Sequence, residues 1–82
     1  MRQENTEIVA GVVFDRGDIK PRWFFINGRK INVLRVIYKW HEREGYYLIY
    51  KFTVTDGENI YEIAFNSNLQ KWFLIAVVEG VS

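Results

Sequence analysis

The chain has 82 residues, 49% of them hydrophobic and 17% aromatic, with no cysteine and a formal net charge of +1. That length holds one domain near the lower limit of independent folding, and without cysteine no disulfide or thiolate–metal site can staple it. No run reaches the roughly 18 apolar residues of a membrane span, and Met1-Arg2 leads into Gln3, Glu4 and Asn5 instead of an apolar segment, so the expectation is a soluble, cytoplasmic protein without a signal peptide.

In chain order, Met1–Thr6 is polar and expected to fray, with residues 1–82 forming a single β-domain. Ile8–Phe14 (IVAGVVF) is β-branched and short, which predicts a strand. Asp15-Arg16-Gly17-Asp18 is a turn cluster. Its Arg-Gly-Asp triplet matches an integrin-binding tripeptide, but in a chain read as intracellular it is taken as coincidence. Pro21 opens the next strand, PRWFFI, a position that suits proline. Asn27-Gly28 signals a type I′ hairpin turn that pairs Phe24 with Ile31 and Arg22 with Val33.

His41-Glu42-Arg43-Glu44-Gly45 reads as a five-residue hairpin loop, which pairs Trp40 with Tyr46, Tyr38 with Leu48, Val36 with Tyr50, Ile37 with Ile49 and Arg35 with Lys51. Ile31 and Val33 then follow one alternation, and Val36, Tyr38 and Trp40 the other. A β-bulge at Leu34-Arg35 would reconcile them. Asp56-Gly57 reads as a second type I′ turn, which sets Phe52 opposite Tyr61, Tyr50 opposite Ile63 and Lys51 opposite Glu62. Both hairpins make Leu48, Tyr50 and Phe52 the buried face of their shared strand. Asn66–Gln70 is the last loop. Lys71–Val78 (KWFLIAVV) is apolar on both phases and needs cover from Ile8–Phe14 or from a second subunit. Together these elements predict an all-β fold, an antiparallel meander of five to six strands curled into a small barrel or roll.

Pro21, Phe24, Gly28, Val33, Val36 and Trp40 stand in a recognisable order with the tyrosine-rich strand, Asp56-Gly57, Tyr61-Glu62-Ile63 and Trp72-x-Leu74. This order resembles a family of small uncharacterised bacterial β-domains, similar to segments at the C-terminus of some Y-family DNA polymerase-like proteins. The resemblance covers residues 20–78. It implies a β fold and, by association, a DNA-repair setting; it carries over no catalytic residue.

Catalytic chemistry is poorly supplied. Ser67 and Ser82 are the only serines and His41 the only histidine, so neither a nucleophilic triad nor a transition-metal site is expected, nor any cofactor. Charge is distributed more tellingly. Residues 16–51 carry nine Lys or Arg against Asp18, Glu42 and Glu44, while both flanking segments are acidic. Arg22, Arg35, Lys39 and Lys51, with Tyr47 among them, form the candidate nucleic-acid-binding set, because cations track a phosphate backbone while aromatics stack on bases. Arg29, Lys30, Arg43 and Trp23 extend it. Arg35 opposite Lys51 would be a like-charge pair that an anionic partner relieves. The reading is a non-catalytic binding module for nucleic acid or a DNA-processing protein. The alternative is a protein-interaction or homodimer surface centred on an apolar pair, Ile37 with Ile49.

Overall fold

The structure, a computed structural model, describes residues 2–80, with side chains described from Glu4 onward. The described residues form eight strands: β1 (Arg2–Ile8), β2 (Ala10–Asp15), β3 (Asp18–Ile26), β4 (Arg29–Asn32), β5 (Arg35–Glu44), β6 (Tyr47–Thr55), β7 (Ile60–Asn66) and β8 (Lys71–Val78). They form two antiparallel sheets, one of five strands in the order β1-β8-β7-β6-β5 and one of three in the order β2-β3-β4. The fold is therefore all-β and antiparallel, with more strands than expected. Neither sheet closes on itself, so the five-stranded sheet keeps β1 and β5 as edges. No helix among the described residues is long and apolar enough to cross a membrane.

Two differences account for the strand count. The polar opening supplies a strand: Arg2–Ile8 pairs with β8, with Thr6 opposite Leu74 and Ile8 opposite Trp72, while Met1 lies outside the described residues. A backbone ladder needs no apolar side chains, and the β8 edge offers unpaired donors and acceptors that any extended segment can satisfy. Second, the expected single strand through residues 31–40 is two strands. β4 ends at Asn32, after which Val33 N donates to Arg22 O (2.9 Å) and Leu34 N to Thr55 O (2.8 Å), so the chain crosses from the small sheet to the large one. The break lies one residue before the expected bulge. Val33 packs against the core, whereas Val36 sits at the rim, 36% exposed. A separate irregularity falls between Val36 and Tyr38, which makes Ile37 the extra residue.

The core lies between the sheets. Phe24 and Ile31 from the small sheet meet Phe52, Val54, Tyr61, Ile63, Trp72, Leu74 and Val77 from the large one. Edge contacts link Phe24 to Tyr61 across the interface, and Trp72 packs beside Phe52 and Phe65. The double apolar phase of β8 is explained by a register shift near Ile75. Trp72, Leu74 and Val77 all reach the core, while Phe73 and Ala76 turn to the other face. Ile8, Ala10 and Val12 pack against the core cluster to which Trp72, Leu74 and Val77 belong.

The turns decide the registers. Asn27-Gly28 forms the expected type I′ turn, with φ of +51° and +78°, and Phe24 pairs with Ile31 as read. Arg16-Gly17 forms a second one, with φ of +53° and +82°. Asp56-Gly57 does not. Residues 56–59 form a four-residue loop, and Thr55 pairs with Ile60. The Asp56 carboxylate accepts from Glu58 N (2.9 Å), Asn59 N (2.8 Å) and Tyr61 Oη (3.1 Å), and Thr55 Oγ1 accepts from Gly57 N (3.0 Å). Such side-chain bonds hold a wider loop that backbone propensity alone would close sooner. The register moves by two residues, so the face assignment survives: Phe52 faces Ile63 and Tyr50 faces Phe65.

The β5–β6 hairpin departs further. Its loop is Gly45-Tyr46 alone, with φ of +62° at Gly45, and Glu44 pairs with Tyr47. Trp40 therefore faces Lys51 instead of Tyr46, a shift by five that reverses the side chains from Tyr38 to Glu44, while the bulge at Ile37 leaves Arg35 and Val36 with an even shift of four. Tyr38 (63% exposed) and Trp40 leave the expected core and stack on each other on the outer face, with ring centroids 5.2 Å apart.

Candidate nucleic-acid interface

β3 and β5 diverge like a fork. They are tied at Val33 N to Arg22 O, beyond which residues 18–21 of β3 have β2 on one side only, and β5 has β6 on one side only. Between them lies a groove of about 550 Å³, lined by residues 18–22 and 33–39. Four cations line it, Lys20, Arg22, Arg35 and Lys39, against one carboxylate, Asp18.

Local sequence explains how these side chains arrive. A register shift between Gly11 and Val12 leaves Arg22 as the unpaired extra residue of β3, and a bulged residue is re-aimed away from the regular alternation. Arg35 is the first residue of β5, opposite Thr55, just after the chain changes sheets. Ile37, the bulged residue of β5, also lines the groove. Lys39 Nζ reaches across to Asp18 Oδ1 at 2.6 Å. That hydrogen bond holds the Asp18 carboxyl below its ordinary value against the opposing effect of burial, and the Lys39 and Lys20 charges add to the lowering. Lys20 lies 3.3 Å from Asp15. Neither Arg22 nor Arg35 has an ion-pair partner among the described residues. Exposed ion pairs such as Lys39–Asp18 hold little free energy, so they exchange readily for an anionic ligand.

The expected set is thus divided. Arg22, Arg35, Lys39 and Ile37 converge on the groove. Lys51 and Tyr47 do not. Lys51 lies on the outer face of the large sheet, opposite Trp40 and Ala64, with Nζ 3.3 Å from Glu42 Oε2. Glu42, not Glu62, is its carboxylate partner. The Glu42 carboxyl is lowered first by the hydrogen bond from Trp40 Nε1 (3.0 Å) and then by Lys51. Arg35 faces Thr55, so the like-charge pair with Lys51 does not form. Tyr47 sits at the hairpin base beside Glu44. Ile49 faces Glu42 and is buried, so the apolar pair with Ile37 does not form either.

The groove continues past the Lys39–Asp18 bridge into a smaller apolar pocket of about 240 Å³, which includes Ile19, His41, Tyr50 and Phe52. Ser67 Oγ donates to Leu48 O at 2.9 Å and so belongs to the β7–β8 turn, whereas Ser82 lies outside the described residues. No cluster of three or more His, Cys, Asp or Glu side chains that could hold a metal ion occurs among the described residues.

Sequence reasoning left Lys20 out of the set, and Phe25 as well. Phe25 lies on the solvent face of the small sheet beside Trp23, ring centroids 5.5 Å apart, and Lys30 Nζ lies 5.3 Å from the Trp23 ring. The alternation WFF was the available signal: if Phe24 is buried, its two neighbours face solvent. No protein-family model, curated protein or solved structure matches the chain.

Proposed function

We propose that this chain is a non-catalytic binding module that holds the backbone of a nucleic acid in the groove between β3 and β5. One observation carries the reading: Arg22, Arg35 and Lys39, distant in sequence, line a single groove with Lys20 against one carboxylate. Such a constellation suits a phosphodiester backbone, whose binding is driven by release of condensed counterions. The absence of cysteine suits a reducing cytoplasm, and the resemblance to segments of Y-family polymerase-like proteins suits a DNA-repair process or a DNA-processing partner. Titration of labelled oligonucleotides at low and near-physiological salt tests the reading. Affinity should fall steeply with salt, and Arg35→Ala or Arg22→Ala should each reduce the salt slope by about one. No binding even at low salt would refute it.

A second reading rests on the β5 edge. Ile37 and Tyr38 are exposed along a strand with no outer neighbour, with exposed Leu34 just before it, which suits a protein partner or a second copy of the chain. Concentration-dependent mass by light scattering, abolished by Ile37→Lys, distinguishes it.

A further inference from the structure

The solvent face of the small sheet adjoins the groove, with Lys20 common to both. Its outward positions are Gly11 and Val13 on β2, Lys20, Trp23 and Phe25 on β3, and Lys30 on β4, followed by Asn32. The carboxylates on this side, Asp15 and Asp18, sit at the turn and already contact Lys20 and Lys39. Trp23 is laid across Gly11: a Cβ at position 11 would run into Cε2, Cζ2 and Nε1 of the indole. Phe25 stands at 75° to the indole and is 37% exposed, although the core is on the opposite face of the sheet. The result is an aromatic floor and wall open to solvent, with one ammonium group near the floor that forms no ion pair among the described residues.

We infer that this face selects single-stranded nucleic acid, its bases stacking on Trp23 against Phe25 while the backbone runs past Lys20 into the groove. The inference rests on the nucleic-acid reading of the groove and adds the strandedness and the base platform. A duplex keeps its base faces stacked inside and cannot use the platform, whereas every unpaired base offers a π-face. Lys30 lies where it can leave the Trp23 ring for a phosphate as a base arrives, so a cation–π contact is exchanged for an ion pair.

The test compares a labelled single-stranded deoxythymidine oligonucleotide of about 12 nucleotides with a duplex of equal length, using the full chain. The single strand should bind at least about tenfold more tightly. Phe25→Ala should weaken it about five- to hundredfold with the salt slope unchanged, and Lys30→Gln should lower the slope by about one. Ultraviolet crosslinking of the wild-type chain to a halogenated oligonucleotide gives a readout independent of mutant folding, and the adduct should map to the peptide carrying Trp23 and Phe25. Equal binding of duplex and single strand, with Phe25→Ala silent and crosslinks elsewhere, overturns the inference. In that case Arg35→Ala still weakens binding if the groove reading holds, and the absence of all binding overturns both.

Discussion

β4 and β5 are consecutive strands on the same stretch of chain, yet they have opposite fates. β4 has four residues, three of them charged or polar (Arg29, Lys30 and Asn32), and it places Ile31 in the core at 3% exposure. β5 has ten residues, among them Val36, Ile37, Tyr38 and Trp40, and none is fully buried. Apolar content does not explain the difference; position in the sheets does. Ile31 pairs with Phe24 on the face that the large sheet covers, whereas β5 lies at the edge of the large sheet, where the small sheet has already diverged from it. Burial of a strand thus depends on what is stacked over it, and an edge strand can be long and aromatic while remaining a surface.

The largest expected effect sharpens this contrast. Phe24, with no exposed surface and Tyr61 edge-on at 5.3 Å, joins the two sheets. Phe24→Ala should cost about 3–5 kcal/mol in denaturant unfolding, a large fraction of what so small a domain possesses. Phe52→Ala, also in the core at 3% exposure, should fall in the same range.

Next is Gly11→Ala. The added methyl meets the Trp23 indole, which must leave its place over β2, and the expected cost is about 1–3 kcal/mol. Loss of Trp23 fluorescence anisotropy should accompany the drop in Tm. An unchanged Tm would mean that the indole is free to move, and the platform would lose its floor.

Asp56→Ala should cost a similar or smaller amount, about 1–2 kcal/mol, because its carboxylate organises the β6–β7 loop through Glu58 N, Asn59 N and the Tyr61 hydroxyl. Burial pushes the Asp56 pKa up, but the hydrogen bonds from Asn59, Glu58 and Tyr61 outweigh it and the net direction is downward. With the folded pKa below the unfolded one, the ionised carboxylate stabilises the fold fully above the ordinary aspartate pKa. That contribution is lost as pH falls through the lower folded value. Thermal melts of the wild type should therefore lose stability on acidification over that interval, and Asp56→Ala should lose less. Parallel acid profiles for the two would remove the carboxylate from the loop's account.

The smallest effect completes the contrast. Tyr38→Ala should change stability by less than about 1 kcal/mol, since the ring is 63% exposed and gives up only its stacking on Trp40. If Tyr38→Ala proved as damaging as Phe24→Ala, β5 would be a core strand after all.

Local chemistry in the sequence settled much of this molecule. The all-β class, the turns at residues 16–17 and 27–28, the Phe24–Ile31 pair and the packing of Tyr50 and Phe52 against the core follow from turn dipeptides and from a two-residue period, both short-range properties. The basic character of residues 16–51 was equally plain. Long-range choices were not. His41 to Glu44 looked like a loop because four polar residues in a row are rare in a covered strand, yet they are ordinary in an edge strand, and only the sheet order shows that β5 is an edge. The register that follows sets Lys51 opposite Trp40, Tyr47 opposite Glu44 and Arg35 opposite Thr55, which separates the three. Three tertiary events, the crossing at Val33-Leu34 and the bulges at Arg22 and Ile37, brought Arg22, Arg35 and Lys39 to one groove. None of the three has a strong local signal, because a bulge or a change of sheet is selected by the fit between two packed sheets and not by the residues it displaces.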